Sequence, residues 1–285
     1  MNNENLEGPL REEFEREYAA LVQRYETARS TPRIAIQGIA GSFSDEAASK
    51  RFSSFEIVEC DSFTRAFDAV EKGIADFGLI PVENSIHGPV VETYDLLAQR
   101  SLFVIEEMKM RIVHCLIGSQ GHVYSHPQAL GQCREYLERH RLTSVPYYDT
   151  AGAVKEKASS ALAIGSERAA RIYDARIVER DIGPAQNTTR FFLVSRTRGS
   201  GSDRGATIFT LRASHEAGTL AHALANLESF GVNLTKIESR PAGNFTYRFI
   251  IEYEWSDDVE PALRSLEEHC ASIKDLGRFS ITSIE

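Results

Sequence analysis

The chain has 285 residues, of which 42% are hydrophobic and 26% are charged, a composition typical of soluble globular proteins. Its formal net charge of −9 argues against a nucleic-acid partner, because phosphate binding requires a basic surface. No apolar segment is long enough to cross a membrane, and residues 1–11 lack the apolar core of a signal peptide, so we expect a cytoplasmic protein without membrane contact.

The cysteines Cys60, Cys115, Cys133 and Cys270 form no CxxC pair and no regular framework, which fits a reducing compartment. His122 and His126 have the spacing of helical metal ligands, but the chain there is extended and no third ligand is evident, so we expect no metal site.

The N-terminal residues 1–32 predict a helical arm. Apolar side chains recur at helical spacing between residues 9 and 29, and Pro32 ends the pattern because proline disfavours helix in the residue before it. We expect this arm to pack on the body of the protein or on a partner subunit.

From Arg33 onward, short apolar runs alternate with helical stretches, which favours a mostly parallel sheet with helices on both faces. Residues 102–117 are extended and lead into a second lobe at about 112–178, and a strand at 191–195 follows it. The predicted strands before the second lobe are 34–36, 56–59 and 77–82, and the predicted helices are 44–51, 62–72 and 90–99. In the second lobe we predict helices at 127–140 and 152–159, with strands at 144–148, 161–164 and 176–179.

Residues 196–204 (RTRGSGSDR) predict a linker, because they combine glycine, serine and charge. The remaining residues, 205–285, give the order βαββαβ, the ferredoxin-like arrangement of a small separate domain. Its predicted strands are 207–213, 233–238, 245–255 and 273–281, and its predicted helices are 218–230 and 259–270.

Residues 38–44 (GIAGSFS) follow a strand and open a helix. Glycine lets the backbone approach a ligand, and Ser42 can cap the helix while free N–H groups face an anion. An ordinary glycine turn with an N-cap is the alternative.

Residues 81–90 (PVENSIHGPV) follow a strand end, where open α/β sheets place ligands. Asn84 and Ser85 offer hydrogen-bond donors and acceptors, and Thr93 lies in the next helix. A binding role and a purely structural role are both open for this segment.

Two further segments carry polar groups at the starts of helices. In residues 125–129 (SHPQA), His126 can cap the helix or act as an acid or base. In residues 149–153 (DTAGA), Thr150 is the expected N-cap and can present N–H groups to a carboxylate.

Residues 187–191 (NTTRF) enter the apolar run of the last strand of this region. Arg190 can form a forked pair with a carboxylate, and Thr189 can donate a hydrogen bond to a departing oxygen. Together they suit a small anionic substrate.

These motifs, in this order, resemble the prephenate dehydratase family from Arg33 to the C-terminus. The matching segments are GIAGSFS, IPVENSIHGPVVET, YSHPQALGQC, DTAGA and NTTRF. In the C-terminal part, the segment at 238–241 matches the ESRP motif of the family's regulatory ACT domain, and residues 217–220 occupy the second phenylalanine-contact segment.

The resemblance implies an α/β fold with a two-lobed catalytic domain at 33–200, like type II periplasmic binding proteins, and a ferredoxin-like ACT domain at 205–285. It implies a decarboxylating dehydration of prephenate to phenylpyruvate without metal or cofactor. The catalytic residues it implies are Thr189, Arg190 and Phe191. The substrate-binding residues it implies are Ser42, Asn84, Ser85, Thr93, Thr150 and Asn187.

The ACT resemblance also implies inhibition by L-phenylalanine in a homodimer or homotetramer that assembles through these domains. The implied phenylalanine site combines the two chains, and its residues are Gly218, Thr219, Leu220, Asn233, Leu234, Glu238, Ser239, Arg240 and Pro241.

Two other functions stay open. Arogenate dehydratases share all these motifs and accept an amino group on the substrate. A catalytically silent amino-acid sensor would use the same two-lobed fold with an ACT module, although the intact TRF triplet at 189–191 argues against it.

Overall fold

Strands and helices alternate along most of the chain, as the apolar runs predict. The computed structural model describes residues 31–212, 216–243 and 245–284, and the helix predicted at 9–29 lies outside them. The strands are β1 (Arg33–Gln37), β2 (Glu56–Cys60), β3 (Phe77–Asn84), β4 (Gly88–Pro89), β5 (Phe103–Arg111), β6 (Cys115–Gly118), β7 (Val123–Ser125), β8 (Ser144–Pro146), β9 (Leu162–Gly165), β10 (Ile177–Glu179), β11 (Thr188–Ser195), β12 (Arg204–Leu211), β13 (Leu234–Pro241), β14 (Tyr247–Glu254) and β15 (Cys270–Ile284). The helices are α1 (Phe43–Arg51), α2 (Phe63–Glu71), α3 (Val91–Gln99), α4 (Pro127–Gln132), α5 (Arg134–Arg139), α6 (Thr150–Lys157), α7 (Glu167–Ile172), α8 (Thr219–Ser229) and α9 (Val259–Glu267).

The first lobe is built on β1, which pairs in parallel with β2 and β3. Its central residues Ile34, Ala35 and Ile36 are fully buried, as expected of a strand covered on both faces. The strand β11 lies between β3 and β5 and is antiparallel to both. This part of the sheet therefore departs from the mostly parallel sheet that the sequence predicts, because β11 is the return of the chain from the second lobe.

The second lobe has its own sheet in the order β10-β6-β9-β7-β8. The extended run predicted at 102–117 divides into β5 and β6, and residues 112–114 connect the two lobes. The single helix predicted at 127–140 is two short helices, α4 and α5, which meet at Cys133. Helix α7 was not predicted, because six residues are too few to show a helical period.

The C-terminal segment has the predicted order βαββαβ, and its strands lie in the order β13-β14-β12-β15. The last strand is longer than predicted. It pairs with β12 and then continues in parallel beside β5, where Ser280 lies opposite Glu106 and Ile284 opposite Met110. The C-terminal sheet is therefore continuous with the sheet of the first lobe, and the predicted α/β fold class is confirmed.

The segment at 196–204 is packed, although its composition predicts a linker. A Cβ atom on Gly199 would lie 3.0 Å from Ile105 Cα, and one on Gly201 would lie 2.3 Å from the carbonyl carbon of Phe279. The glycines thus allow close contact with β5 and β15, and Arg33–Glu285 forms one compact unit.

A shared core lies between α3, the first-lobe sheet and the C-terminal sheet. Phe192 of β11 and Phe279 of β15 are fully buried, and their ring centroids are 5.4 Å apart. Tyr94 and Leu97 of α3 belong to the same cluster, as does Ile250 of β14. Within the residues that the structure describes, no helix is both long enough and apolar enough to cross a membrane.

Candidate functional site

A cavity of about 530 Å³ lies between the two lobes. Its walls combine the strand ends of the first lobe, the connection at 112–114 and the helix starts of the second lobe. The lining residues are Gln37, Gly38, Ser42, Phe43, Ser44, Asp61, Ser62, Phe63, Pro81, Asn84, Val90, Glu92, Ile112, His114, His126, Gln128, Ala129, Gln132, Tyr148, Asp149, Thr150, Thr189 and Phe191.

The N-termini of several helices converge on this cavity. Ser42, Ser62 and Asp149 are the N-caps of α1, α2 and α6, and each lines the cavity. The expectation that Thr150 caps α6 is wrong, because the side chain of Asp149 accepts from the Gly152 N–H and Thr150 is the first helical residue. Val90, at the start of α3, also lines it and makes no side-chain cap. The first N–H groups of a helix have no intrahelical partner and carry partial positive charge, so this arrangement favours a bound anion.

Lysine and arginine are absent from the lining that the described part of the chain provides. An anion in this cavity would therefore be held by backbone N–H groups, hydroxyls and amides rather than by a paired cation. Helix N-termini supply a favourable field for an anion without changing the net charge. The carboxyl groups of Asp61, Glu92 and Asp149 in the same lining act against that field.

Thr189 and Asn84 form the centre of the site. They lie opposite each other on β11 and β3, and Asn84 Nδ2 donates to Thr189 Oγ1 over 3.0 Å. The Asn84 amide orientation is fixed, because its Oδ1 accepts from the backbone N–H groups of Ile86 and His87 over 3.0 and 3.2 Å. Since Thr189 Oγ1 accepts from Asn84, its own hydrogen is available for a ligand in the cavity.

A chain of hydrogen bonds extends from Asn84 into the second lobe. Asn84 Nδ2 donates to Asn187 Oδ1 over 2.7 Å, and Asn187 Nδ2 donates to Gln132 Oε1 over 3.1 Å. The Nε2 atom of His114 is 2.6 Å from the same Gln132 oxygen and is therefore its second donor. Because Gln132 Oε1 accepts both hydrogen bonds, the NH₂ group of Gln132 is available to donate to a ligand in the cavity, which this residue lines.

Gln132 and His114 were not among the predicted site residues. Gln132 falls within a matched motif, and that was the available signal, but His114 sits in an extended run without distinctive spacing. His114 is 2% exposed, and burial lowers the pKa of its imidazole while the Gln132 hydrogen bond opposes that effect. The neutral ring thus acts as a fixed donor that orients Gln132.

The structure brings some of the residues predicted to be catalytic or substrate-binding to the lining of the cavity, whereas Ser85, Thr93 and Asn187 do not line it. Ser42, Asn84, Thr150, Thr189 and Phe191 line it. The others support the lining residues. Thr93 is fully buried and donates to Pro81 O over 2.9 Å. Ser85 Oγ donates to Gln186 O over 2.9 Å. Asn187 is fully buried and accepts from Asn84 Nδ2.

Arg190 lies on the opposite face of β11 from Thr189, as alternation along a strand requires. Its guanidinium donates to Glu83, to both carboxylate oxygens of Glu107 and to Glu252. The expectation that Arg190 binds a substrate carboxylate is therefore corrected, because three protein carboxylates occupy its donors and it does not line the cavity. Its role is to join β11 to β3, β5 and β14.

Arg190 affects the pKa values of two of these carboxyl groups, Glu83 and Glu107. Burial alone would raise the pKa of Glu107 and of Glu83, but hydrogen bonds from Arg190 hold both pKa values below their usual range. Lys236 of β13 adds a second cation, with its Nζ atom 3.0 Å from Glu83 Oε1.

The first glycine loop is held by the second lobe. Ser166 Oγ donates to Gly41 O over 2.6 Å, and Tyr173 Oη donates to Ala40 O over 2.7 Å. Arg168 of α7 pairs with the fully buried Asp45 over 2.6 Å. This segment therefore closes one side of the cleft as well as providing the cap residue Ser42.

The residues expected to bind phenylalanine lie in the C-terminal part of the unit. Gly218 precedes α8 with a φ of 87°, followed by Thr219 and Leu220 in the first turn. The segment at 238–241 lies on β13, the edge strand, where Arg240 faces α3 and pairs with Asp95 over 3.3 Å. Asn233 and Leu234 lie at the start of that strand.

Across residues 31–212, 216–243 and 245–284, no three His, Cys, Asp or Glu side chains come together in a group that could hold a metal ion.

Comparison with known proteins adds to this geometry. Residues 34–199 match the family model described as prephenate dehydratase. The chain is 37% identical over 282 residues to arogenate dehydratase/prephenate dehydratase 2, chloroplastic, of Arabidopsis thaliana, covering 88% of this chain and 74% of the relative.

Two solved structures are similar over most of the fold. GqqA, a quorum quenching acylase, has a TM-score of 0.80 and 28% identity, covering 88% of this chain and 98% of the other. Prephenate dehydratase from Arthrobacter aurescens in complex with L-Phe has a TM-score of 0.79 and 27% identity, covering 87% of this chain and 89% of the other. By the family match over residues 34–199 and the 37% identity to a curated relative, the chain belongs to the prephenate dehydratase family.

Proposed function

We propose that the protein converts prephenate to phenylpyruvate, water and carbon dioxide. One observation carries the proposal: the Thr189 hydroxyl, oriented by Asn84, is presented to a cavity that helix N-termini surround. Such a site directs helix N-termini toward an anionic group of the substrate and offers one hydrogen-bond donor to a leaving oxygen.

The reaction requires little from side-chain acids and bases. As carbon dioxide departs, the electron pair of the broken carbon–carbon bond enters the ring, and the electron pair of the carbon–oxygen bond leaves with the hydroxyl. The hydroxyl takes up one proton to become water, and the ring becomes aromatic. Thr189 is too weak an acid to supply that proton outright, so its role is to donate a hydrogen bond as charge develops on the oxygen.

Asn84 sets the direction of this hydrogen bond. Because Asn84 Nδ2 donates to Thr189 Oγ1, it occupies an oxygen lone pair and polarises the O–H group toward the cavity. A donor that is fixed before the substrate arrives needs no reorganisation in the transition state, which is the main source of electrostatic catalysis.

Arogenate is the alternative substrate, and one observation favours it. Asp61, Glu92 and Asp149 line the cavity, where carboxylates would oppose a dianion but favour the ammonium group of arogenate. The relative from Arabidopsis thaliana carries both activities in its name.

Regulation by L-phenylalanine is part of the proposal. The solved relative from Arthrobacter aurescens is a complex with L-Phe, and the residues around Gly218 and on β13 match the phenylalanine-contact motifs. The edge position of β13, with Ile237 45% exposed, supports assembly of a homodimer or homotetramer through this part of the chain. The cytoplasmic location stays a prediction.

The test is turnover of the purified chain on prephenate and on arogenate, with and without phenylalanine, followed by absorbance of the aromatic product. Turnover of either substrate supports the dehydratase, and the ratio of the two kcat/KM values decides between them. No turnover by folded protein that binds phenylalanine would favour the silent sensor. Gel filtration that shows a monomer with and without phenylalanine would contradict the proposed assembly.

A further inference from the structure

Tyr148 is an exposed aromatic side chain at the edge of the cavity. It is 60% exposed and lines the cavity directly before Asp149, the N-cap of α6. An exposed tyrosine on a loop would ordinarily be free to move. The surroundings of Tyr148 instead hold it in place.

Three contacts fix the ring of Tyr148. Its hydroxyl donates to Glu156 Oε1 over 2.7 Å, and its ring centroid is 4.5 Å from that of Tyr147, whose hydroxyl donates to the other oxygen of Glu156. The ring also lies against Gly152, where a Cβ atom would be 2.6 Å from Tyr148 Cζ. An alanine at 152 would therefore displace the ring.

The chemistry of Tyr148 fits contact with an apolar group rather than proton transfer. The hydrogen bond to Glu156 raises the pKa of its phenol, so the group remains neutral over the working range of an enzyme. A rigid, neutral aromatic face loses little conformational entropy when a ligand packs against it.

We propose that Tyr148 is a substrate-binding residue whose ring packs on the six-membered ring of the substrate at the mouth of the cavity. This inference rests on the proposed function, in which the substrate carries an apolar ring that becomes aromatic. In this arrangement the helix N-termini that line the cavity are assigned the charged groups of the substrate, and Tyr148 is assigned the face of the ring, which lacks charge. Because prephenate and arogenate have the same ring, Tyr148 contributes equally to both.

Aromatic contact should strengthen as the ring of the substrate becomes aromatic. Contacts between aromatic rings give an extra stabilisation that corresponds to roughly three- to tenfold in affinity or rate. The contact therefore contributes to binding and also favours the transition state over the ground state.

The experiment compares kcat/KM for both substrates, and inhibition by phenylpyruvate, in matched variants. Tyr148→Leu should lower kcat/KM roughly three- to tenfold for both substrates and weaken phenylpyruvate inhibition by a similar factor. Tyr148→Phe keeps the ring, so its kcat/KM and its inhibition by phenylpyruvate should stay within about twofold of the wild-type values. Only the hydrogen bond to Glu156 is lost. Wild-type kcat/KM and inhibition in Tyr148→Leu would overturn the proposal.

Gly152→Ala provides an independent arm that does not depend on removing the tyrosine. Alanine favours helix over glycine, so this variant should fold, but it should displace the ring and reproduce part of the Tyr148→Leu effect. Gly131→Ala in α4 is the matched control, because a Cβ atom there meets nothing within 4 Å and the kinetics should remain unchanged. If Gly152→Ala and Tyr148→Leu each retain wild-type kinetics, Tyr148 makes no contact with the substrate that contributes to binding or turnover.

A binding measurement distinguishes failure of the aromatic contact from failure of the proposed function. If the wild type turns over neither substrate, binding of phenylpyruvate to the wild type and to Tyr148→Leu is measured by calorimetry. Weaker binding to the variant supports the aromatic contact without the dehydratase. Equal binding, or no binding to the wild type, overturns the contact.

Discussion

Arg190 Nη2 donates to Glu252 Oε2 over 2.5 Å and thereby joins the strand that carries Thr189 to the C-terminal sheet. Glu252 is fully buried and also accepts from the Tyr94 hydroxyl over 3.2 Å. The residue adjacent to the proposed catalytic hydroxyl is thus bonded to the part of the chain expected to bind phenylalanine.

The helix α3 forms a second connection between the same two regions. Its N-terminus lines the cavity at Glu92, and Asp95 pairs with Arg240 of β13. Near its C-terminus, the Nζ atom of Lys274 donates to the carbonyl oxygens of Leu97 and Arg100. A shift of the C-terminal sheet would therefore move α3 and alter the cavity, which is the coupling that the proposed regulation by phenylalanine requires.

The first prediction concerns this coupling. Glu252→Gln removes a charged acceptor of Arg190, while Glu83 and Glu107 continue to pair it, so the protein should fold with a loss of about 1.5–3 kcal/mol. The effect of phenylalanine on turnover should weaken by about 0.5–2 kcal/mol of coupling free energy. The measurement is inhibition by phenylalanine in the variant and in the wild type.

Glu260→Gln is the matched control for that experiment, because Glu260 makes an exposed ion pair with Arg264 over 3.9 Å. It should retain wild-type stability and inhibition, since exposed pairs contribute little. Equal inhibition in Glu252→Gln and Glu260→Gln would show that the Arg190–Glu252 pair is structural only.

The second prediction concerns acid stability. The pKa values of Glu83 and Glu107 are lowered in the folded state, so their stabilising contribution is complete above the ordinary value of 4.5 and is lost as pH falls through the lowered values. The free energy of unfolding should therefore decrease on acidification below about pH 4.5. Urea unfolding across that range should show a smaller slope with pH for Glu83→Gln than for the wild type, and equal slopes would contradict the assignment.

The third prediction concerns the direction of the Thr189 hydrogen bond. Thr189→Val should lower kcat roughly 10²–10³-fold, whereas Thr189→Ser should retain much of it. Asn84→Asp should cause a comparable loss, because a carboxylate still accepts from Ile86 and His87 but cannot donate to Thr189, whose hydroxyl would turn away from the cavity.

Combining the two changes tests whether they act on one group. The double variant Asn84→Asp/Thr189→Val should be no worse than either single variant, since both remove the same donated hydrogen. Additive losses in kcat would mean that Asn84 acts on the substrate independently of Thr189.

The fourth prediction concerns the contact between the lobes at Gly41. Its φ is +85°, and a Cβ atom would lie 2.7 Å from Ala169 Cα. Gly88 has a similar φ of +76° but nothing within 4 Å of a Cβ atom. Gly88→Ala should lower the free energy of unfolding by about 1–2 kcal/mol because of backbone strain. Gly41→Ala should lower it by about 1–3 kcal/mol more than Gly88→Ala does, because it also overpacks against α7.

Urea unfolding of the two glycine variants measures that difference. Equal losses of unfolding free energy would indicate that α7 shifts at little energetic cost to make room for a Cβ atom at position 41. A larger loss in Gly41→Ala would confirm that the loop at 38–44 must pack closely on α7.

Much of the fold could be predicted from local patterns of apolar and polar residues in the sequence. The buried run of β1 and the period of α2 placed those elements within about two residues of their observed bounds, since burial on a fixed face leaves its period in the sequence. The break at Cys133 and the short helix α7 were not readable, because tertiary contacts rather than periodicity decide elements of six residues.

The sequence by itself determined the family resemblance, the βαββαβ order and the candidate residues Asn84 and Thr189, because local residue type and spacing are sufficient for each. The tertiary structure alone decided that Thr189 lines the cavity while Arg190 faces away into three carboxylates. It also decided that His114 and Asn187 both bond Gln132, since these residues come together only when the connection after β5, helix α4 and the segment before β11 pack around one cleft. A strand's alternation predicts that neighbouring residues differ in direction, but which direction leads to the cavity depends on what packs against each face.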